Sequence, residues 1–310
     1  MFQSRRLRSR APIPISRRNQ ESAPSATRIP RGFTLAEVVI VMAVMALAIG
    51  GMLMPLATQY EMSRVRETQR TMESIRESLI GFAIANGRLP CPASPTLATG
   101  GGASAGTEAL TNVAPPAQPP GTSGHWCQTD DGTEADAALS AGVLPWVTLG
   151  APETDAWGRR FTYVVTSIFA DEGGCASTNP NVASFCTSAP GQVTLNTRTS
   201  AGGPTPPIAN GLAAIVVSHG RNGSSAFLPS GMQMAAGTGA DEGRNALAIT
   251  SAVPLQISAP ASFMTRESIR SDTSCNDAAA GGQMCEFDDL IVGVDAARLV
   301  SRMVAAGRLP

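Results

Sequence analysis

The run from Val38 to Leu56, VVIVMAVMALAIGGMLMPL, holds nineteen residues without a charge. As an α-helix rising about 1.5 Å per residue it comes close to the hydrocarbon thickness of a bilayer, so the sequence predicts a membrane helix here. It is too long, and lacks a small-residue cleavage site after it, to be an ordinary cleaved secretory signal. Directly ahead of it stands a carboxylate, Glu37, five residues past Gly32. Moving a charged side chain into hydrocarbon costs roughly 2.5 to 3.5 kcal/mol on insertion scales, so Glu37 needs either a partner or a functional reason. A plain anchor leaves Glu37 and the preceding Arg31-Gly32 without a role.

Charge is unevenly placed around this run. Residues 1 to 32 carry eight Arg (5, 6, 8, 10, 17, 18, 28 and 31) against one acid, Glu21. The remainder holds fifteen Arg against 23 Asp and Glu, a formal charge of −8. A basic segment next to a membrane span stays in the cytoplasm, which puts the acidic body on the far side. The same basic run in another setting would read as a nucleic-acid arm, but its place ahead of a span favours targeting, and no nucleic-acid partner is expected. All 23 basic residues are Arg. The absence of Lys excludes P-loop phosphate binding through its usual Lys and any Schiff-base chemistry.

The string Arg31-Gly32-Phe33-Thr34-Leu35-Ala36-Glu37 and the apolar helix after it resemble the processing site of type IV prepilins and type II secretion pseudopilins. The resemblance implies that a prepilin peptidase on the cytoplasmic face cuts between Gly32 and Phe33 and N-methylates the new Phe33 amine. It also implies that Glu37 of one subunit pairs with the Phe33 amine of its neighbour and sets the register of assembly. Electrostatics makes that plausible, because a paired charge in lipid costs far less than an isolated one. The plainer reading of Glu37 is that it snorkels to the cytoplasmic interface. Gly50, Gly51 and Pro55 interrupt the run, and the resemblance implies that the helix loosens there; a tolerated kink is the alternative.

After the span, Met62, Val65, Met72, Ile75, Leu79 and Phe82 recur at threes and fours, with Gln69 filling the stripe and Glu and Arg covering the rest. That pattern predicts an amphipathic helix with one face on a core. Asn86-Gly87 and Pro90 stop it. The chain therefore divides into a basic leader (1–32), a membrane and assembly helix (33–57), an amphipathic stem (58–87) and a periplasmic head (88–310). The expected fold is α+β, a long stem helix packed on an antiparallel-sheet head with long loops.

In the head, candidate strands are 161–168, 191–197, 211–218 and 286–294, separated by loops at 93–124, 171–190, 199–210 and 231–245. A last helix over 295–306 starts from Asp295 as N-cap. Asp155-Ala156-Trp157-Gly158-Arg159-Arg160-Phe161-Thr162-Tyr163 is similar to the Asp-x-Trp-Gly-x-x-(aromatic)-x-Tyr segment of pseudopilin heads, and Phe287-Asp288-Asp289-Leu290 resembles the start of their last strand. The head is larger than those of common major subunits, which fits a minor or tip component.

Six cysteines, at 91, 127, 175, 186, 275 and 285, all lie in the head, so up to three disulfides are expected. Pairing Cys91 with Cys127, Cys175 with Cys186 and Cys275 with Cys285 is one of fifteen connectivities, and free buried thiols are the alternative. No spacing suits zinc, and no metal site is expected, although Asp130, Asp131, Glu134 and Asp136, or Asp288 and Asp289, offer oxygens suited to Ca²⁺.

No enzyme is expected. Gly102-Ala103-Ser104-Ala105-Gly106 fits a GxSxG string but lacks the strand–turn–helix context of a nucleophile elbow. His219 after a strand reads as a hydrogen-bonded loop residue, and His125 has no ligand partner at the right spacing. The alternatives to a filament subunit are an anchored periplasmic domain that never polymerises, and an anchored hydrolase using Ser104 or His219.

Overall fold

The structure, a computed structural model, describes residues 32–102, 104–111, 126–128, 139–171, 190–247, 254–257, 261–269 and 274–309; the side chains of 51–57, 126, 255 and 256 are outside this description. In chain order the elements are α1 (Leu35–Asn86), β1 (Leu110–Thr111), β2 (Trp126–Cys127), β3 (Leu139–Val143), α2 (Trp146–Leu149), β4 (Thr162–Thr166), α3 (Ser167–Ala170), β5 (Val193–Asn196), β6 (Pro207–Ser218), α4 (Ala240–Asn245), β7 (Leu255–Ile257), β8 (Ala261–Met264), β9 (Leu290–Asp295) and α5 (Ala296–Ala305). The fold is α+β. The chain divides into two compact units at Pro55, Met1–Pro55 and Leu56–Pro310.

In the second unit, seven strands form one sheet in the order β7-β3-β4-β6-β5-β8, with β9 on the other flank of β6. Every pairing is antiparallel except β5 with β8, which is parallel, so the sheet is mixed where an antiparallel one was expected. Both faces are covered. Tyr163, Val165, Ala214 and Val216 point to a core that includes Met72, Ile75 and Leu79 of α1 and Leu299 and Met303 of α5. Val164, Ile215 and Val217 point to a second core with Trp146, Phe227 and Phe263. That is why β4 and the second half of β6 are apolar at successive positions instead of alternating.

Part of α1 lies in that first core. Thr68, Met72, Ile75, Leu79, Ile80 and Ala83 are its buried face. The expected stripe is therefore corrected at its start. Met62 is 50% exposed and Gln69 is exposed, while Val65 and Phe82 are only half-buried. The buried face follows the sheet, and Thr68 joins it because its hydroxyl accepts from the Ala156 N–H at 3.2 Å. The helix ends at Asn86, where the Gly87 N–H closes on the Ala83 carbonyl at 2.8 Å.

Strand limits also shift. The expected strand 161–168 stops at Thr166, whose hydroxyl accepts from the Gln192 N–H at 3.1 Å, and Ser167–Ala170 turns into α3. The expected 286–294 begins only at Leu290. β6 reaches back to Pro207 into a segment read as loop, and α4 sits inside another. β3, β7 and β8 were not among the candidate strands. β3 is LSAGV, yet it is fully buried between β4 and β7, and a side chain at Gly142 would meet the Ala93 carbonyl at 2.6 Å. α5 forms as expected, with Asp295 accepting from the Arg298 N–H at 2.8 Å.

Disulfides join Cys91 to Cys127 and Cys275 to Cys285, with Cα–Cα distances of 5.2 and 4.8 Å. Cys175 and Cys186 lie outside the described residues. Beside the first bridge, the Cys127 N–H donates to Asp171 at 2.9 Å. Desolvation still pushes the Asp171 carboxyl up to about 6, with the Cys127 N–H and Arg88 opposing it.

Three outcomes are expected, the first two as a pair. Leu79→Ala should lower stability by about 2 to 5 kcal/mol, through lost transfer energy and a cavity. Met62→Ala should stay within about 0.5 kcal/mol. Denaturant unfolding of the detergent-solubilised chain measures both. Asp171 binds its proton more tightly folded than unfolded, so its contribution is full below an unfolded pKa near 4 and is lost as pH rises through about 6. Asp171→Asn should flatten that part of the stability–pH curve, read as unfolding midpoints taken from pH about 4 to about 7.5.

Candidate functional site

The residues of the resembled processing motif sit at the start of α1. Gly32, Phe33 and Thr34 precede the helix, and Phe33 is 82% exposed. The Thr34 carbonyl accepts from the N–H groups of Glu37 at 3.0 Å and Val38 at 3.2 Å, and its hydroxyl accepts from the Glu37 N–H at 3.3 Å. Thr34 is thus the N-cap, and Thr-Leu-Ala-Glu has the spacing of a capping box. This local role of Thr34 went unread in the sequence, although the T-x-x-E spacing signals it.

Two chemical consequences follow. The Gly32–Phe33 peptide bond lies outside the helix, so a peptidase can bind it extended without first unwinding a turn. An amine created at Phe33 would sit against the positive end of the helix dipole, and Glu37, the acid of the first turn, supplies the opposing charge.

From Val38 to Ile49 the helix has no polar side. Val38, Val39, Ile40, Val41, Met42, Val44, Met45, Leu47 and Ile49 are all exposed, and consecutive positions on a helix point around its whole circumference. An element hydrophobic all round belongs in a core or a membrane. Among the described residues no helix is long and apolar enough to cross a membrane. Side chains are described up to Gly50 and again from Thr58, and the expected uncharged span of 38–56 includes part of the interval between. Gly50, Gly51 and Pro55 lie within α1, and Pro55 ends the first unit.

In the head, the Asp155 string opens with a turn anchored by a buried Asp155. Asp155 accepts from the N–H groups of Trp157 at 2.9 Å and Arg159 at 3.0 Å and from the Ser218 hydroxyl at 2.7 Å, tying the approach to β4 to the end of β6. Arg160 is fully buried, stacks on Trp146 at 4.6 Å, and donates to the carbonyls of Pro95, Leu97 and Pro229 at 2.8 to 3.1 Å. These residues hold the surrounding loops in place.

Ser104 is exposed in a turn, with its carbonyl accepting from the Thr107 hydroxyl at 2.9 Å. His219 is buried, its Nε2 within 2.8 Å of the Thr162 hydroxyl. His125, Asp130, Asp131, Glu134 and Asp136 lie outside the described residues. Asp288 and Asp289 are brought beside Glu242, a residue the sequence reading did not single out.

Comparison with known families places a prokaryotic N-terminal methylation motif at residues 28–53. The chain therefore carries the prepilin-type cleavage and methylation signature, that of type IV pilin-like and pseudopilin-type proteins. No curated protein and no solved structure matches the chain significantly.

Proposed function

We propose that this chain is a minor pilin-like subunit of a type IV pilus or a type II secretion pseudopilus. A prepilin peptidase cuts between Gly32 and Phe33 and methylates the Phe33 amine. The helix over 33–57 then holds the subunit in the inner membrane with its head in the periplasm, and packs against the helices of other subunits when the filament grows. Its work is assembly and not catalysis.

One observation carries this reading. The methylation signature, matched over residues 28–53, includes a helical segment whose nine large apolar residues from Val38 to Ile49 are exposed on all sides. Burying each contributes roughly 1.5 to 3 kcal/mol, so leaving them in water costs on the order of 10 kcal/mol or more. Lipid or neighbouring helices remove that cost. Glu37 breaks the symmetry between those two environments: lipid penalises it, while a neighbour's cationic amine stabilises it. The minor role rests on the head, residues 88–310, which is larger than the heads of common major subunits.

The second reading, an anchored domain that never polymerises, keeps the same helix and makes Glu37 dispensable. Glu37→Gln in a peptidase-competent host decides between them. The expected outcome is unchanged membrane content, with at least about a tenfold loss of the protein from sheared filaments or from cross-links to other subunits. Equal recovery of wild type and variant in that fraction would contradict assembly through Glu37 and support the anchored domain.

A further inference from the structure

The two described disulfides differ in access. Cys91 and Cys127 are 0% and 3% exposed and belong to the first core, so that bridge is closed to solvent. In the other bridge Cys285 is 2% exposed, but Cys275 is half-buried and follows the exposed Ser274. Thiol–disulfide exchange starts when a thiolate reaches one sulfur, so access at a single end decides which bridge reacts.

The accessible bridge closes a short loop, its cysteines ten residues apart, and that loop carries Asp277 into the protein. Asp277 Oδ1 accepts from the Cys285 N–H at 2.9 Å and pairs with Arg266 at 3.2 Å. Its Oδ2 accepts from the Asp241 N–H in α4 at 3.2 Å, and its carbonyl accepts from the Gly202 N–H at 2.8 Å and from the Arg198 guanidinium. Asp241 in turn pairs with Arg198 at 3.3 Å and Arg266 at 3.1 Å, and the Arg266 guanidinium donates to the Cys285 carbonyl at 2.8 Å. The side chains of Asp241, Asp277 and Arg266 are at most 1% exposed. One small loop therefore holds a buried ion network together, and the bridge holds the loop.

The loop also sits tightly on its neighbours. A side chain at Gly202, where φ is +67°, would meet the Ala280 backbone at 2.3 Å, and one at Gly239, just ahead of α4, would meet Cys285 Cβ at 3.3 Å. From the other end of α4, Asn245 exchanges 2.8 Å hydrogen bonds with the backbone of Met264 in β8, the end strand of the sheet. A displaced Asp277 would leave the Asp241 N–H unpaired and take one anion from a buried network of two arginines and two aspartates.

We propose that Cys275–Cys285 is a redox-labile clasp: a dithiol opens it while Cys91–Cys127 stays closed, and opening it loosens α4 and β8. One thiolate of the dithiol attacks the Cys275 sulfur, the S–S bond breaks, and Cys285 leaves as a thiolate that takes up a proton. The second thiol of the reductant then displaces Cys275 from the mixed disulfide. Two electrons pass to the bridge, which ends as two thiols, and the dithiol ends as a disulfide.

The test treats the full-length, detergent-solubilised protein with dithiothreitol near pH 8, where thiolate is available, and traps thiols with N-ethylmaleimide at timed intervals. Peptide mass spectrometry then assigns each alkylated cysteine. Cys275 and Cys285 should be alkylated at least about tenfold faster than Cys91 and Cys127. Hydrogen exchange on the same samples should speed up by about tenfold or more in peptides covering 240–245 and 261–264, and stay unchanged over 72–83 of α1. A Cys275→Ser, Cys285→Ser variant should show the exchange pattern of the reduced protein without reductant. Circular dichroism shows whether that variant folds; if it does not, the timed reduction of wild type carries the comparison. Alkylation of Cys91 and Cys127 at the same rate or sooner would overturn the proposal. So would selective reduction that leaves exchange over 240–245 unchanged, which would make the bridge a surface staple with no hold on α4.

Discussion

An α-helix with apolar side chains around its whole circumference has two stable environments, lipid and other helices, and the segment from Val38 to Ile49 is such a helix. The rest of the chain is organised by that constraint. The charge-poor segment cannot contribute to a soluble core, so the head builds its own, using the face of α1 from Thr68 to Ala83 as one wall and the mixed sheet as the other. A single helix thus changes from apolar all round to one-sided along its length, and the two compact units meet in sequence at Pro55.

Glu37 gains a physical context from the same view. As the acid of the first turn it opposes the helix dipole and any amine at Phe33, and the N-cap at Thr34 keeps the Gly32–Phe33 bond out of the helix. One short motif therefore combines an accessible peptide bond, a defined helix start and a charge that hydrocarbon alone does not tolerate. The first two hold within a single chain; for the third, the amine of a neighbouring subunit is the proposed partner.

Features set by local chemistry were legible in the sequence. Asp295 capping α5, the Asn86-Gly87 stop and the apolar runs of β4 and β6 were each written in adjacent residues. What escaped depends on tertiary contact. β3 holds Ser140 and Gly142 because its neighbours press close, which reads as loop when its burial is unknown. α4 is short and contains Gly243; its place is fixed by Asn245, which exchanges 2.8 Å hydrogen bonds with the backbone of Met264, and no propensity signals it. Glu242 therefore could not be placed beside Asp288 and Asp289 from the sequence. The stem's stripe was right in period but began too early, since periodicity shows which residues share a face and not where the covering sheet ends.

On the proposed reading, α1 of the mature subunit is preceded by a new, N-methylated amine at Phe33. N-terminal peptide mass spectrometry of membrane-extracted protein, from hosts with and without prepilin peptidase, tests it most directly. An N-methylated Phe33 terminus is expected only where the peptidase is present. A leader left intact in both hosts, or a terminus at any other residue, would contradict it.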